Sequence, residues 1–313
     1  MSNGTYNKVV KKKENQQMKC KILTPAITVF NEDGSIDYEG NRKVIDFLID
    51  NGVDGIIPLG SSGEFPDISY EDRKEFLELY IKEVNKRVEI IAGTSSMNYD
   101  EVVELSNFAI ECGANGVMII PPYYFAISQD QAFRYYDRLA NDISGDIYIY
   151  NYPARSGFDV EPQTLAKLAK KHKNIKGMKD STTSIEHTKS CIYAVKEHRN
   201  DFEVYSGFDN HFVPNVMAGG SGCIAAISNI LPELWAEWIK VTREGNLDEI
   251  TRIQVEIDDL MQLYGIDSNF SLLYKKLMKE RGLDIESTTL FPFDLIDDEK
   301  YEKALKIFKR HVR

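Results

Sequence analysis

Short apolar, β-branched runs alternate along this chain with stretches whose apolar residues fall three or four apart, and the alternation holds from residue 21 to residue 226. Runs at 21–30, 55–59, 88–92, 116–120, 146–150, 175–179, 202–206 and 222–226 predict eight strands. Helical spacing between them predicts helices over 38–51, 70–86, 99–112, 129–141, 163–171, 184–196 and 212–217, as in the stripe Phe76, Leu77, Tyr80 and Val84. Gly52, Gly113 and Gly219 each close a helix, and Gly55, Gly116 and Gly222 each open the next strand, so one left-handed helix stop recurs three times. Eight strands alternating with helices point to an α/β architecture, a (β/α)8 TIM barrel over residues 19–229. An open doubly wound sheet competes, but no G-x-G-x-x-G follows the first strand. Pro58 is a local conflict: it lies inside the second predicted strand and has no N–H to donate. Beyond residue 230 the strand signal ends. Helical patterns over 231–243, 248–263, 272–280 and 298–312 predict a C-terminal helical region, 230–313, packed on the barrel. Residues 1–18 are polar, carry Lys11, Lys12 and Lys13, and read as a mobile N-terminal extension.

Composition narrows the partners. The 313 residues are 42% hydrophobic and 28% charged, enough chain to bury the core of one large barrel. A formal net charge of −11 speaks against nucleic acid or an anionic membrane surface as partner. No apolar run reaches transmembrane length and the N-terminus lacks a signal-peptide pattern, so the expected location is the cytoplasm. Cys20, Cys112, Cys191 and Cys223 are scattered with no C-x-x-C pair and read as free thiols of a reducing compartment. His172, His187, His198, His211 and His311 show no H-x-H or H-E-x-x-H spacing, so no metal site is expected and a metal-dependent aldolase is disfavoured.

In such a barrel the reactive groups stand at strand C-termini and in the loops that follow. Lys179 ends the sixth predicted strand, and a buried amine that sheds its proton becomes a nucleophile for a carbonyl carbon. A lone strand-end lysine is more often a solvated, snorkelling side chain. The residues at the other strand ends change that balance. Gly60-Ser61-Ser62-Gly63-Glu64 can turn backbone N–H groups and two hydroxyls onto a carboxylate. Pro121-Pro122-Tyr123-Tyr124 follows the fourth strand, Tyr150-Asn151-Tyr152-Pro153-Ala154-Arg155-Ser156-Gly157 closes the fifth, and Gly222-Cys223-Ile224 lies in the eighth. Singly these are a turn, a packing pair and a solvated arginine. Together they supply a nucleophilic amine, a phenol, a hydroxyl relay and an anion cradle.

In this order, G-S-S-G-E, P-Y-Y, Y-N-Y-P-A-R-S-G, K-G-M-K-D and G-G-S-G-C-I resemble the dihydrodipicolinate synthase and N-acetylneuraminate lyase family of class I aldolases, over about residues 21–292. The resemblance implies that Lys179 forms an imine with pyruvate and that Tyr150 shuttles protons. It implies that Ser61 relays them between Tyr150 and Tyr124, with Tyr124 arriving from a neighbouring subunit. Ser62 and Gly63 would hold the pyruvate carboxylate, Ile224 would offer a backbone carbonyl, and Gly207, in Ser206-Gly207-Phe208-Asp209, would border the site. The implied cofactor is none beyond the covalent lysine imine. The implied partners are a small keto acid, an aldehyde and further copies of the chain, in a dimer or tetramer.

Arg155 stands where the synthases of the family place an arginine for the aldehyde's carboxylate. That points to 4-hydroxy-tetrahydrodipicolinate synthase, which condenses pyruvate with aspartate semialdehyde. Against this, Ser61 and Ser62 replace two threonines of those synthases, while Phe65 and Asp180-Ser181 resemble the 2-keto-3-deoxy sugar acid aldolases. Serine keeps the hydroxyl but lacks the methyl that fixes its rotamer, which loosens the relay. N-acetylneuraminate lyase stays open as a further alternative, and outside enzymes so does a non-catalytic keto-acid-binding protein on the same fold.

Overall fold

The computed structural model describes residues 18–267 and 270–312, so the predicted N-terminal extension lies, but for Met18, outside the described residues. Eight parallel strands, β1 (Lys21–Pro25), β2 (Gly55–Ile57), β3 (Glu89–Gly93), β4 (Gly116–Ile119), β5 (Ile147–Asn151), β6 (Ile175–Asp180), β7 (Glu203–Ser206) and β8 (Gly222–Ile224), pair in chain order. β8 returns to β1, with Lys21 opposite Gly222, and closes a (β/α)8 barrel.

Outside it lie α1 (Tyr38–Asp50), α2 (Tyr70–Val84), α3 (Tyr99–Cys112), α4 (Gln129–Asp142), a single turn α5 (Pro153–Ser156), α6 (Pro162–Lys171), α7 (Ile185–Lys196) and α8 (Phe212–Met217). Local chemistry starts and stops them. Asp37, Ser69 and Asn98 accept N–H groups of the first turns of α1, α2 and α3, and Ser128 and Gln131 form a capping box on α4. Gly52, Gly113 and Gly219 sit at φ 88°, 109° and 93°, the left-handed stops the sequence predicts.

The chain continues as α9 (Pro232–Glu244), α10 (Leu247–Leu260), α11 (Phe270–Glu280) and α12 (Asp298–Phe308). α9 packs against β1, so the helix that completes the outer ring lies beyond residue 230.

Seven of the eight strand ends differ from the periodicity, by one to five residues, and the clearest reasons are chemical. β2 stops at Ile57 because Pro58 has no N–H and Leu59 follows at φ 55°. The Pro58 carbonyl still accepts the Gly93 N–H at 2.9 Å, so the ladder loses its donors before its acceptors. β1 ends at Pro25, and Ala26 donates one last bond to the Ile57 carbonyl. β5 and β6 each run one residue further, to Asn151 and Asp180, which are in register with one another.

Two apolar layers result. One fills the space between strands and helices, and the other fills the barrel itself with Leu23, Ile57, Ile91, Met118, Tyr148 and Tyr205. The N-terminal mouth is plugged by charge: Tyr148 and Tyr205 donate to the Glu203 carboxylate at 2.8 and 3.0 Å, and Lys21 pairs with Glu89 at 2.7 Å.

Candidate active site

The carboxyl end of the barrel is built on the register of β5, β6 and β7. Lys179 lies opposite Tyr150 on one side and Tyr205 on the other. It is 6% exposed, and its Nζ stands 4.5 Å from the centre of the Tyr150 ring. A cavity of about 30 Å³ lies between the amine and Ser61, Ser62, Tyr150, Ser181, Gly207 and Ile224. Ser61 Oγ is 3.4 Å from Tyr150 Oη, a long hydrogen bond. Six of the nine residues singled out from sequence therefore meet here: Lys179, Tyr150, Ser61, Ser62, Ile224 and Gly207.

Gly207 is glycine for a steric reason. A Cβ there would lie 1.9 Å from Ser181 Oγ and 2.9 Å from Ser181 Cα, so any side chain would displace a wall of the cavity.

The other three stand elsewhere. Gly63 does not line the cavity: its N–H is taken up by the Gly60 carbonyl at 3.0 Å, and a Cβ would meet Ala26 O and Thr28 Oγ1 at 3.1 Å. Its role in this arrangement is to let the loop pack on the end of β1. Arg155 is carried by α5, which Pro153 starts and Gly157 (φ 67°) ends. Its guanidinium lies over the Tyr152 ring at 5.4 Å. With Tyr123, Asp67 and Phe293 it lines a neighbouring hollow of about 440 Å³ that also touches Ser61. Tyr124 is 80% exposed, its ring edge-on to Phe125 at 5.0 Å, and within this chain it does not reach Ser61.

A larger hollow, about 820 Å³, lies at the opposite rim beside Lys176, Lys196 and Arg243. Four of its cations are already bound: Lys21 to Glu89 at 2.7 Å, Lys176 to Asp201 at 3.5 Å, Arg243 to Asp54 at 3.1 Å, and Lys196 to the Gly219 carbonyl. It holds no amine of the kind that Lys179 presents beside a phenol, so the chemistry is assigned to the smaller cavity.

Several residues of the site were assigned no role from the sequence. Tyr264 and Phe270 reach the cavity from the helical region after β8, and Phe208 from the turn after β7. Behind them Asp209 is fully buried, accepting the Tyr264 hydroxyl at 2.6 Å and the Ile227 N–H at 3.2 Å. Burial pushes its carboxyl up to about 6, against the pull of those two donors and of the Lys179 charge.

On the outer face of β6, Asp180 accepts Asn151 Nδ2 at 2.8 Å and Thr188 Oγ1 at 2.6 Å, and meets His187 Nδ1 at 3.0 Å. The other ring nitrogen of His187 faces the Val160 carbonyl at 3.2 Å, so both nitrogens donate and the ring is an imidazolium. Burial works against that charge, but the bonds to Asp180 and Cys191 outweigh it and lift the group to about 11. A histidine raised above its unfolded value stabilises the fold fully below about pH 6.5 and progressively less as pH climbs through 11. Thermal melts should therefore show stability falling from neutral to strongly alkaline pH. His187→Gln is expected to be less stable at pH 6 and to lose much of that slope; an unchanged slope would remove the ion pair from the account.

Among the described residues no three His, Cys, Asp or Glu side chains gather as a metal ion would require, and no helix is long and apolar enough to cross a membrane. With the geometry in place, comparison with known proteins decides the lineage. The model of the dihydrodipicolinate synthetase family matches residues 18–311. The chain belongs to the dihydrodipicolinate synthetase family.

Members of this family are class I lyases of the aldolase type, and the protein is such an enzyme. It is 33% identical over 279 residues to the putative 2-dehydro-3-deoxy-D-gluconate aldolase YagE of Escherichia coli strain K12, covering 89% of this chain and 92% of that one. To the 4-hydroxy-tetrahydrodipicolinate synthase of a Hydrogenobaculum species it is 32% identical over 247 residues, 79% and 83% of the two chains. The crystal structure of YagE in complex with pyruvate superposes with a TM-score of 0.90 at 32% identity, covering 93% of this chain and 98% of that one. Aldolase and synthase relatives thus lie at nearly equal distance.

Proposed function

We propose that this family member is an aldolase in which Lys179 forms the imine with pyruvate, and that the hollow beside Arg155 takes the aldehyde. The observation that carries the reading is the buried Lys179 amine against the Tyr150 ring, with Ser61 Oγ 3.4 Å from the phenol. The neutral amine adds to C2 of pyruvate, the carbinolamine loses water, and the nitrogen emerges as an iminium. That electron sink lets a proton leave C3, and the enamine carbon attacks the aldehyde carbon, whose oxygen is protonated. Water then adds to the iminium and frees the product and the lysine. Tyr150 stands where a phenol can carry protons to and from the carbinolamine oxygen, and Ser61 continues the chain; such assistance contributes roughly 100- to 10,000-fold. Ser62 would donate to the pyruvate carboxylate in this reading, a role its place in the cavity lining with Ile224 and Gly207 supports.

The relay needs a further group, and this chain's Tyr124 and Phe125 are exposed side by side, 80% and 70%. Both features fit an assembly in which Tyr124 of the partner subunit completes the relay, in a dimer or tetramer. Borohydride treatment with pyruvate, followed by peptide mass analysis, tests the reading: one reduced pyruvate adduct on Lys179 is expected, and an unmodified Lys179 would refute it.

For the aldehyde, Arg155 at the hollow supports a substrate with a carboxylate, as in the condensation of aspartate semialdehyde by 4-hydroxy-tetrahydrodipicolinate synthase. The hydroxyl pair Ser61 and Ser62, and the similarity to YagE and to a probable 2-dehydro-3-deoxy-D-pentonate aldolase, favour a sugar acid aldolase as the second reading. Arg155→Leu, assayed with pyruvate against aspartate semialdehyde, N-acetylmannosamine and glyceraldehyde, separates the two. If Arg155 reads a carboxylate, kcat/KM for the semialdehyde should drop by about 1.5–3 kcal/mol while that for glyceraldehyde holds. Equal losses across the panel would make Arg155 a structural residue.

A further inference from the structure

Two ionisable side chains of opposite sign are shut into the carboxyl end of the barrel, and among the described residues neither has the direct ionic contact that usually accompanies burial. Lys179 is 6% exposed and its Nζ faces the Tyr150 ring. Asp209 is 0% exposed, and its oxygens accept from neutral donors, the Tyr264 hydroxyl and the Ile227 N–H. Buried charges are normally paired, because a low dielectric magnifies the cost of an isolated one. Tyr264 links the two: its side chain lines the Lys179 cavity and its hydroxyl donates to Asp209. The ammonium's field reaches the carboxylate and favours its anion, and both charges are felt at the Cys223 sulfur.

We propose that Asp209, held at one remove by Tyr264, is the counter-charge of the iminium on Lys179; this rests on the imine reading given above. Overall, ammonium plus ketone gives iminium plus water, with no change of charge. An anion positioned for the resting ammonium is therefore equally positioned for the iminium. Pyruvate's own carboxylate lies on the Ser62 side of the adduct in this reading, so Asp209 is the anion the protein itself supplies near the nitrogen. The indirect placement also suits the next step. A carboxylate touching the nitrogen would hold its proton and oppose loss of the C3 proton to the neutral enamine. One acting through a phenol supplies the field without a base in contact.

The other titratable groups facing this pair are Tyr150 and Tyr152 from β5 and its end, Cys223 from β8, Tyr264 and Tyr274 from the C-terminal helices, and His211 in the same turn. Burial drives Cys223, Tyr264 and Tyr274 far up, so they stay neutral, and it pulls His211 down, so that it too is neutral at working pH. Asp180 on the far face of β6 is neutralised by His187. Asp209 is left as the anion that answers Lys179.

The test is the pH profile of pyruvate trapping by cyanoborohydride, which reduces the iminium, read as adduct mass on the full-length protein. In Asp209→Asn the alkaline limb should move down by about one pH unit, a roughly tenfold loss of adduct one unit above the wild-type midpoint. In Tyr264→Phe the carboxylate stays but loses a donor to its anion, so the acid limb should move up while the alkaline limb holds. A profile of Asp209→Asn that superimposes on the wild type overturns the counter-charge. Should Asp209→Asn fail to fold, an unmoved acid limb in Tyr264→Phe overturns it instead. Absence of any Lys179 adduct in the wild-type protein would refute the imine reading, a result distinguishable from either.

Discussion

Lys179→Ala is expected to abolish turnover, by roughly 10⁶-fold, the scale on which an enzyme loses its covalent nucleophile. The pyruvate adduct should vanish with it. The loss is this large because every later step depends on the iminium: without it C3 of pyruvate holds its proton, and Tyr150 and Ser61 have nothing to act on. Lys179→Arg sharpens the test. A guanidinium keeps a positive charge at the end of β6 but stays protonated and cannot add to a ketone. If charge were what the site needed, the arginine variant would retain measurable turnover. Both variants inactive and unlabelled, with unchanged circular dichroism, is the expected result. An adduct that persists in Lys179→Ala, on another lysine, would sink the mechanism.

The second large effect lies outside the cavity. Lys275, on α11, is wholly buried and pairs with Glu64 at 2.6 Å; its Nζ also donates to the Thr288 carbonyl at 2.7 Å. Burial holds the Lys275 ammonium below its ordinary value, with the Glu64 carboxylate pulling the other way. Glu64 itself sits at φ 57°, at the end of the loop that presents Ser61 and Ser62, and Ser271 one turn away donates to the Ser62 carbonyl at 2.9 Å. The helix after the barrel therefore clamps the loop that faces the amine. Lys275→Met leaves a carboxylate buried without its cation and should cost about 3–5 kcal/mol, a melting point lower on the order of 10 °C. The double variant Lys275→Met with Glu64→Gln removes both charges and should recover most of that loss. KM for pyruvate is expected to rise more than kcat falls in the single variant, because the loop loosens while Lys179 and Tyr150 keep their register. A single variant that melts with the wild type would show that the pair is not a clamp.

Much of this was legible in the sequence because it is local. Side-chain periodicity and turn glycines fix the order and type of the strands and helices, and Gly52, Gly113 and Gly219 adopt the left-handed stops their positions require. Pro58 announced its own conflict, and the strand ends before it. Lys179 could be read because closure of a parallel barrel brings all strand C-termini to one face, so residues spread over the whole chain become neighbours by rule. Less legible was Gly63, whose N–H is spent inside its own turn on Gly60. A motif states which donors exist, and only the folded loop states which remain available.

The order of the elements, the barrel, and the amine–phenol–hydroxyl set at its carboxyl end were determined by the sequence alone. Tertiary structure decided what surrounds that set. Glu64 and Lys275 are 211 residues apart in the chain, and Asp209 and Tyr264 are 55 apart. Helical patterning after residue 230 said that those residues lie on helices but not where the helices dock. Docking follows from the shape and charge of the surface the closed barrel offers, and that surface exists only once the strands have met.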